Sequence, residues 1–547
     1  MQFLNSPTAA LLATALLGLD PAAAATASSS SASASAAASA GASAPTGAAY
    51  ASNFDITTSW GNLSPYADSP GFDVPNGVPH GCELAQVHIL HRHAQRYPTS
   101  YDLDGLGMQK FAQKLKNYTA LHPHRTLARG PLAFLNDWEY MMGEDTLLGS
   151  GAATEATSGA DAWGRYGRLL YRAGAGVVGW EDGLNVYPNG TRRAKPVFRT
   201  TSQARILESA RWWLSGFFGN SGANSSYSQY DLVVIPEVDP FNNTLASYDS
   251  CPGDSREGYQ GDTAAESFLP ALTHSAITRL SPYLPHDFHL IPSDILAMLN
   301  MCPYEYATYS THPSPSPFCT LFTEQEWKDY EYILDLQFYG NYGFGASTGR
   351  AQGIGYILEL AARLQSKLIT SSDTSINYTY DNNEKTFPLG QPLYMDMSHD
   401  DIIVSVLTAL GLEYFKYGPA GLPAANITHA PANRTFNLNK LTPFGARLNT
   451  EVWSCPSPAS IRHLDPVLYS NPDLSTRNTT EYIRFMLNNA PVPLDGLKGC
   501  EKGVNGFCAV GDFVAAVPGL KRDAEYQFAC FGKHDAGGKQ VGDGKPE

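Results

Sequence analysis

Three short apolar runs, each giving way to a long helical pattern, limit the folds open to this chain more than any other feature. The runs are Leu84–Leu90 (LAQVHIL), Asp231–Val238 (DLVVIPEV) and Pro392–Met397 (PLYMDM). Segments of this length rich in Val, Ile and Leu read as buried strands. Helical spacing then takes over. In ARILESARWWLSGFF, Ile206, Ala210, Trp213, Leu214 and Phe217 share one helical face, and DDIIVSVLTALGLEYF, from Asp400 to Phe415, predicts a second helix. Strands alternating with helices predict an α/β fold whose sheet is covered by helices on both faces. The region from about 240 to 385 is poor in strand signals and predicts an inserted, mainly helical subdomain. At 547 residues the chain exceeds the size of one simple core, which suits such an insertion.

In sheets of this kind, function collects where strands end and helices begin. The segment HILHRHAQRYPTS, His88 to Ser100, concentrates cations at one such end. Arg92 and Arg96 there can clamp an oxyanion bidentately, and the imidazole of His93 between them is a candidate nucleophile. Structural salt bridges around a satisfied histidine are the bland alternative. A metal site built from His88, His91 and His93 is disfavoured: an extended strand turns His88 away from the other two, and the arginines repel a cation.

The segment DMSHDDIIV marks a second strand end. Ser398 followed three residues later by Asp401 predicts a capping box, making Asp401 structural. His399 and Asp400 then stand at a helix mouth that favours an anion. A bound anion is expected to raise the pKa of Asp400 and suit it to protonate a leaving oxygen. GASTG, Gly345 to Gly349, matches a nucleophile-elbow pattern, but no buried strand precedes it, so it reads as a turn and Ser347 is not the nucleophile.

RHAQRYP resembles the R-H-G-x-R-x-P signature of the histidine acid phosphatases, and HD at His399 and Asp400 resembles their distal motif. FRTTSQARILESARWWLSGF, QGIGYILELAARL and LTPFGARLNTEVWSC are similar to further stretches of the secreted fungal phytases and related acid phosphatases, from about Trp60 to Cys530. The resemblance implies a phosphoglycerate-mutase-like sheet and hydrolysis of small-molecule phosphomonoesters, phytate (myo-inositol hexakisphosphate) among the candidates, through a phosphohistidine. It assigns His93 as nucleophile, Arg92, Arg96 and Arg205 as phosphate clamps, His399 as a phosphate contact and Asp400 as acid, with no metal or other cofactor. Arginines and fixed dipoles suffice for a loose transition state that spreads charge over three oxygens. It also implies the disulfides Cys82–Cys455, Cys251–Cys530, Cys302–Cys319 and Cys500–Cys508, where sequence alone leaves the connectivity open. One departure stands out: the family's glycine after the nucleophile is Ala94. A position needing positive φ would be strained by alanine; one needing only a small side chain would not. The second reading is favoured.

Other readings compete. An inactive secreted phosphoester-binding glycoprotein of the same fold would not need Asp400, and an intracellular phosphoryl mutase does not suit an exported chain. Export is expected because residues 1–25 have the layout of a signal peptide and 26–47 form an Ala/Ser-rich leader, with the catalytic unit from 48 to 547. Nine sequons (Asn62, Asn117, Asn189, Asn224, Asn242, Asn377, Asn426, Asn433 and Asn478) predict a glycoprotein, and eight cysteines without a C-x-x-C pair fit an oxidising compartment. A net charge of −15 argues against nucleic acid and anionic membranes as partners. The predicted location is extracellular or the cell wall. Around the first motif the rim reads as mixed, with Asp102 and Asp104 near it and Lys110, Lys114 and Lys116 further along, which predicts broad phosphomonoesterase activity. An acidic working range is expected separately, because Asp400 must be protonated in the first step while His93 stays unprotonated at the attacking nitrogen.

Overall fold

The computed structural model describes residues 54–547 except 102, 172–188, 193, 220–225, 257–258, 310–315, 458–460, 467–477 and 535–538. The signal and leader segments, Asp102 and the sequon at Asn224 lie outside the described residues. Ten strands are present among them: β1 (Val78–Pro79), β2 (Glu83–Arg92), β3 (Val197–Thr201), β4 (Asp231–Ile235), β5 (Leu393–Ser398), β6 (Arg447–Pro456), β7 (Leu464–Asp465), β8 (Thr479–Leu487), β9 (Ala490–Pro491) and β10 (Phe507–Ala509). The main sheet runs β10-β8-β6-β2-β5-β3-β4, with β9 on β8, while β1 and β7 form a separate two-stranded ladder. β2, β5, β3 and β4 are mutually parallel; β6 lies antiparallel to β2 and β8.

The three predicted strands are β2, β4 and β5, with β2 continuing two residues further, to Arg92, and β4 stopping at Ile235. The antiparallel half was not signalled. β6 buries Arg447, Asn449, Thr450 and Glu451 beside Leu448, Val452 and Trp453, so it shows no apolar alternation to read. Within β2 the register slips between Leu84 and Gln86, and that bulge is why Leu84 shares a face with Val87 and Ile89 rather than with the even-numbered positions.

Helices cover both faces. One face is covered by α2 (Gly149–Tyr171) and α3 (Ala204–Phe218), which pack together and, with Val87, Ile89, Phe198, Met395 and Met397, enclose a core around Trp163, Ile206, Trp213 and Phe217; α1 (Gly105–Leu121) precedes them and buries Met108, Phe111 and Leu115 in the other, larger core. Glycines let the two helices touch: a Cβ on Gly159 would stand 1.9 Å from the Trp213 carbonyl oxygen, and one on Gly216 2.0 Å from that of Ala156. The predicted face of α3 is the buried one.

Between β4 and β5, no described residue is in a strand. This stretch holds α4 (Gln260–Leu280), α5 (Pro292–Tyr309), α6 (Glu324–Asn341) and α7 (Gly349–Leu364). α4 packs on α6 and α1 on α5, whereas α7 lies against α8 (Asp400–Ala409) and α9 (Val510–Ala524) and so belongs to the layer covering the second face of the sheet. Gly345 to Gly349 is the turn into α7, as read from the sequence. The helix predicted from Asp400 to Phe415 is shorter than expected: α8 ends at Ala409 and Gly411 takes φ +74°, a left-handed stop that a glycine adopts at no steric cost.

All four disulfides implied by the family resemblance form, Cys82–Cys455, Cys251–Cys530, Cys302–Cys319 and Cys500–Cys508, and no described cysteine is free. No helix among the described residues is long and apolar enough to cross a membrane.

Candidate active site

The register of the parallel strands assembles the site. Arg92 of β2 pairs with Ser398 of β5, so the residues that follow, His93 and His399, emerge side by side at the carboxyl edge of the sheet. The His93 amide donates to the Ser398 carbonyl (3.0 Å), and the two imidazoles lie 5.8 Å apart, nearly perpendicular. Asp400 opens α8. The next strand, β3, delivers Arg205 in the first turn of α3, and β4 delivers Glu237. Four adjacent strand ends thus converge, at the place where parallel sheets hold ligands.

His93 is buried, and its Nδ1 stands 2.8 Å from the Ala94 carbonyl oxygen. A carbonyl can only accept, so Nδ1 carries the proton and Nε2 keeps its lone pair. Burial, then the positive charges of Arg92, Arg205, Arg96 and His399, hold the imidazole pKa well below the ordinary histidine value. The nitrogen stays nucleophilic in acid. Ala94 is fully buried and is not among the described residues with positive φ, so alanine fits without strain.

Arg92 is fully buried, stacked 4.5 Å from the Phe444 ring centre. Its Nη1 donates to the carbonyls of Asn62 and Thr442, and its Nη2 lies 2.8 Å from the Asp400 carboxylate. Arg96 donates to the Tyr97 carbonyl (2.9 Å) and the Tyr304 hydroxyl (3.1 Å), and Arg205 to Asp145 (3.1 Å). Three buried guanidinium nitrogens, Arg92 Nε, Arg96 Nε and Arg205 Nε, make no hydrogen bond within the described protein, and Arg92 Nη2 has only the Asp400 carboxylate. Buried donors left without acceptors are costly, and together they define a place for an oxyanion.

His399 Nε2 lies 3.1 Å from both Glu237 Oε2 and the Tyr248 hydroxyl, which itself donates to Glu237 Oε1 (2.7 Å). That bond set fixes the proton on Nε2 and leaves Nδ1 to the pocket. Burial opposes charging His399, but Glu237 more than offsets it and the histidine pKa rises; Glu237, though buried, is held down to about 2 chiefly by His399. His93 and His399 therefore carry opposite shifts, one kept neutral and the other kept charged.

In the free pocket Asp400 differs from the state expected beside a bound anion. Burial pushes its carboxyl up, but Arg92, the Asn62 amide (2.9 Å), Arg96 and His399 outweigh this and the pKa falls below the usual aspartate value. Without a bound anion this acid is ionised. Nor is there a capping box: Ser398 is the last residue of β5 and its hydroxyl donates to the Leu245 carbonyl (2.6 Å), while His399 is the N-cap and its side chain makes no capping bond to the helix. Asp401 is no mere cap residue either. It lines the pocket, and burial and Asp400 raise its pKa to about 6. Asn62 is also reassigned: its side chain is buried against Asp400, so this sequon has no room for a glycan, whereas Asn117, Asn189, Asn426, Asn433 and Asn478 are exposed.

A pocket of about 290 Å³ opens over these groups, walled by Arg96, Arg205, His399, Asp400 and Asp401 on one side and by Tyr101, Tyr248, Tyr259, Tyr342 and Phe338 on the other. Arg92 and His93 lie just beneath its wall. No lysine lines it: Lys110 and Lys116 are exposed on α1, and Lys114 is tied to Asp294 (2.5 Å). Asp104 is not a free rim charge, since it accepts from Thr99 (3.0 and 2.7 Å) and lies 3.5 Å from Arg96. His88 and His91 stay out of the site, His88 stacked on Tyr394 and His91 bonded to Ser158 (2.8 Å). Sequence reasoning missed Asn62, Glu237, Tyr248 and Tyr304. Glu237 alone had a signal, an acid two residues past a strand of a parallel sheet; the others come from remote loops and helices.

A basic oxyanion cradle around a neutral imidazole, with a carboxyl at its mouth, defines the class as a hydrolase of phosphomonoesters. The comparisons agree. The family described as Histidine phosphatase superfamily (branch 2) matches residues 83–488. Phytase A of Aspergillus fumigatus is 30% identical over 462 residues, covering 83% of this chain and 86% of that protein, and Phytase A of Emericella nidulans is 29% identical, covering 87% and 91%. The crystal structure of the phytase from D. castellii shares the fold, with TM-score 0.64, 21% identity and 88% of each chain covered. The chain belongs to branch 2 of the histidine phosphatase superfamily.

Proposed function

We propose that His93, Arg92, Arg96, Arg205, His399 and Asp400 carry out the hydrolysis and that the enzyme works outside the cell as a broad acid phosphomonoesterase. Four disulfides and the exposed sequons support an extracellular setting. The observation that carries the site assignment is the His93 Nε2 lone pair, left free by the Nδ1 bond to Ala94, in an imidazole flanked by the charges of Arg92, Arg96 and Arg205, each of which keeps a buried Nε without an acceptor.

The phosphoryl group of a monoester fills that acceptor role, its oxygens held by the three arginines and by His399 Nδ1. His93 Nε2 attacks phosphorus as the ester P–O bond breaks, and the leaving oxygen takes a proton from Asp400. Water then attacks the phosphohistidine, giving its proton to the Asp400 carboxylate and releasing phosphate. Since Asp400 is ionised in the free enzyme, the proton it donates arrives with the substrate: the phosphate monoanion displaces the carboxylate from Arg92 and its negative charge raises the Asp400 pKa. Phosphomonoesters lose their second proton near pH ~6, so the rate falls above that.

The pocket favours small monoesters over phytate, the substrate that the relatives' name suggests, because no described lysine lines it and because Asp401, as it ionises near pH 6, adds a negative charge that opposes further phosphates. The test is phosphate release from p-nitrophenyl phosphate and from phytate between pH 3 and 8, with and without chelator, by wild type and His93→Ala. Chelator-resistant release from both, faster on the small ester and absent in the variant, is expected. Full activity in His93→Ala would sink the assignment.

A further inference from the structure

At the far end of β2 from His93 the structure gathers a second set of ligand-type side chains. His80, His463 and Asp465 present one donor atom each within 4.8 Å of one another. His80 Nδ1 is 2.8 Å from Asp465 Oδ2, His463 Nε2 is 3.7 Å from Asp465 Oδ1, and the two imidazole centres are 5.2 Å apart. All three are solvent-accessible, with side-chain exposures of 60%, 68% and 32% for His80, His463 and Asp465.

Backbone bonds hold these residues in place. β1 and β7 pair antiparallel, Val78 opposite Asp465 and Pro79 opposite Leu464, and the His80 amide donates to the His463 carbonyl (2.9 Å). Cys82, two residues past His80, is locked to Cys455 of β6. The ladder is thus anchored on one side by a covalent bond and closed by main-chain bonds, so the three side chains meet without a loop having to order first. Among the described residues the His463 ring makes only one polar approach, the long one of its Nε2 to Asp465 (3.7 Å), a gap that a cation between the two could close. Two neutral imidazoles and one carboxylate form the donor set that borderline divalent cations prefer, zinc foremost, with the remaining positions left to water. A net charge of −15 adds a general attraction for cations.

We propose that His80, His463 and Asp465 form a surface site for a zinc-type divalent cation that clamps the β1–β7 ladder. The cation inserts between Asp465 and the two imidazoles, replacing the His80–Asp465 hydrogen bond with coordination. The site takes no part in the phosphoryl chemistry. The ten residues of extended β2 separate its anchor, Cys82, from His93, a span of roughly 30 Å at the usual strand rise.

The test is calorimetric titration of untagged wild type, His80→Ala, His463→Ala and Asp465→Ala with zinc chloride at pH 7. Wild type is expected to bind one equivalent, with affinity reduced at least tenfold by each substitution, while p-nitrophenyl phosphate hydrolysis by the variants stays at the wild-type level and shows that they fold. Zinc binding that survives the substitutions, or no binding to wild type, overturns the proposal. Loss of hydrolysis in wild type would count against the phosphatase assignment instead, and leaves the titration to be read on its own.

Discussion

Asp400→Asn separates the two jobs assigned to this carboxylate. In the structure it is the counterion of Arg92, whose side chain is fully buried, and it stands in the pocket wall beside that arginine, where the proposed mechanism uses it as the acid. The amide keeps one oxygen for the Asn62 and Arg92 donors but loses the charge and the transferable proton. Loss of a general acid costs about 10²- to 10⁴-fold, or about 3 to 5 kcal/mol of transition-state stabilisation. That loss should appear on glycerol 2-phosphate, whose alkoxide needs the proton, and be much smaller on p-nitrophenyl phosphate, whose phenolate leaves without one.

The counterion role predicts the opposite sign for binding. With Asp400 neutralised, Arg92 keeps a buried charge with weaker compensation. The folded state should lose about 2 kcal/mol, between the value of one charge-assisted hydrogen bond and that of a full buried pair. An inorganic phosphate dianion then restores the missing charge, so phosphate should bind the variant more tightly and raise its melting temperature more than it raises that of wild type. The penalty also depends on pH. Because the Asp400 pKa is depressed on folding, its stabilisation is present above the ordinary aspartate range, near pH ~4, and is lost as pH falls through the lower folded value, so the two proteins should converge in strong acid. Single-turnover rates on both esters, phosphate titrations and thermal unfolding at pH 2 to 6 provide the measurements. Equal losses on the two esters, or phosphate affinity falling together with turnover, would refute the reasoning.

Glu237→Gln removes the charge that keeps His399 protonated, so the alkaline edge of the kcat/KM profile should move to lower pH while the rate at pH 4 changes only a few-fold; an unmoved edge argues against the pairing. Ala94→Gly should leave kcat/KM within about twofold and lower stability by about 0.5 to 1 kcal/mol through added chain entropy, since the native φ already suits alanine; a large gain in rate would show that Ala94 displaces the nucleophile. Asp401→Asn should raise phytate hydrolysis relative to p-nitrophenyl phosphate, most strongly above pH 6, where the wild-type carboxyl is ionised. Glycopeptide mapping should find Asn62 unmodified and sugars confined to the exposed sequons.

Three of the four parallel strands were legible, β2 and β5 because they are largely buried and rich in apolar residues and β4 because it carries the run LVVI although most of it is accessible, whereas β3, VFRTT, was missed because Arg199, Thr200 and Thr201 interrupt its apolar pattern. α3 matched its predicted span to the residue because Trp213, Phe217 and their neighbours repeat at helical spacing. β6 and β8 carry buried polar and charged side chains that answer to partners far along the chain, as Tyr166 answers Glu451 (2.8 Å), and no local pattern records such a partner. The residues of the site were legible for a similar reason in reverse: His93, Arg92 and Arg96, and then His399 and Asp400, each sit within one short segment at a strand end.

What the sequence could not carry was the sign of a charge interaction. From the segment DMSHDD alone, Asp400 faces a bound anion and its pKa should rise. In the folded chain without that anion, the nearest charge is Arg92, brought there by the pairing of β2 with β5, and the pKa falls. The two statements concern different states of the same pocket, and they are compatible under the proposed mechanism, in which the guanidinium that would clamp the phosphate is also the group that holds the acid ionised in the free enzyme. The acid therefore becomes a proton donor only once the anion has taken its place on Arg92. An enzyme arranged in this way is acidic in its working range because its substrate must bring the proton, and not because its own carboxyl is protonated at rest.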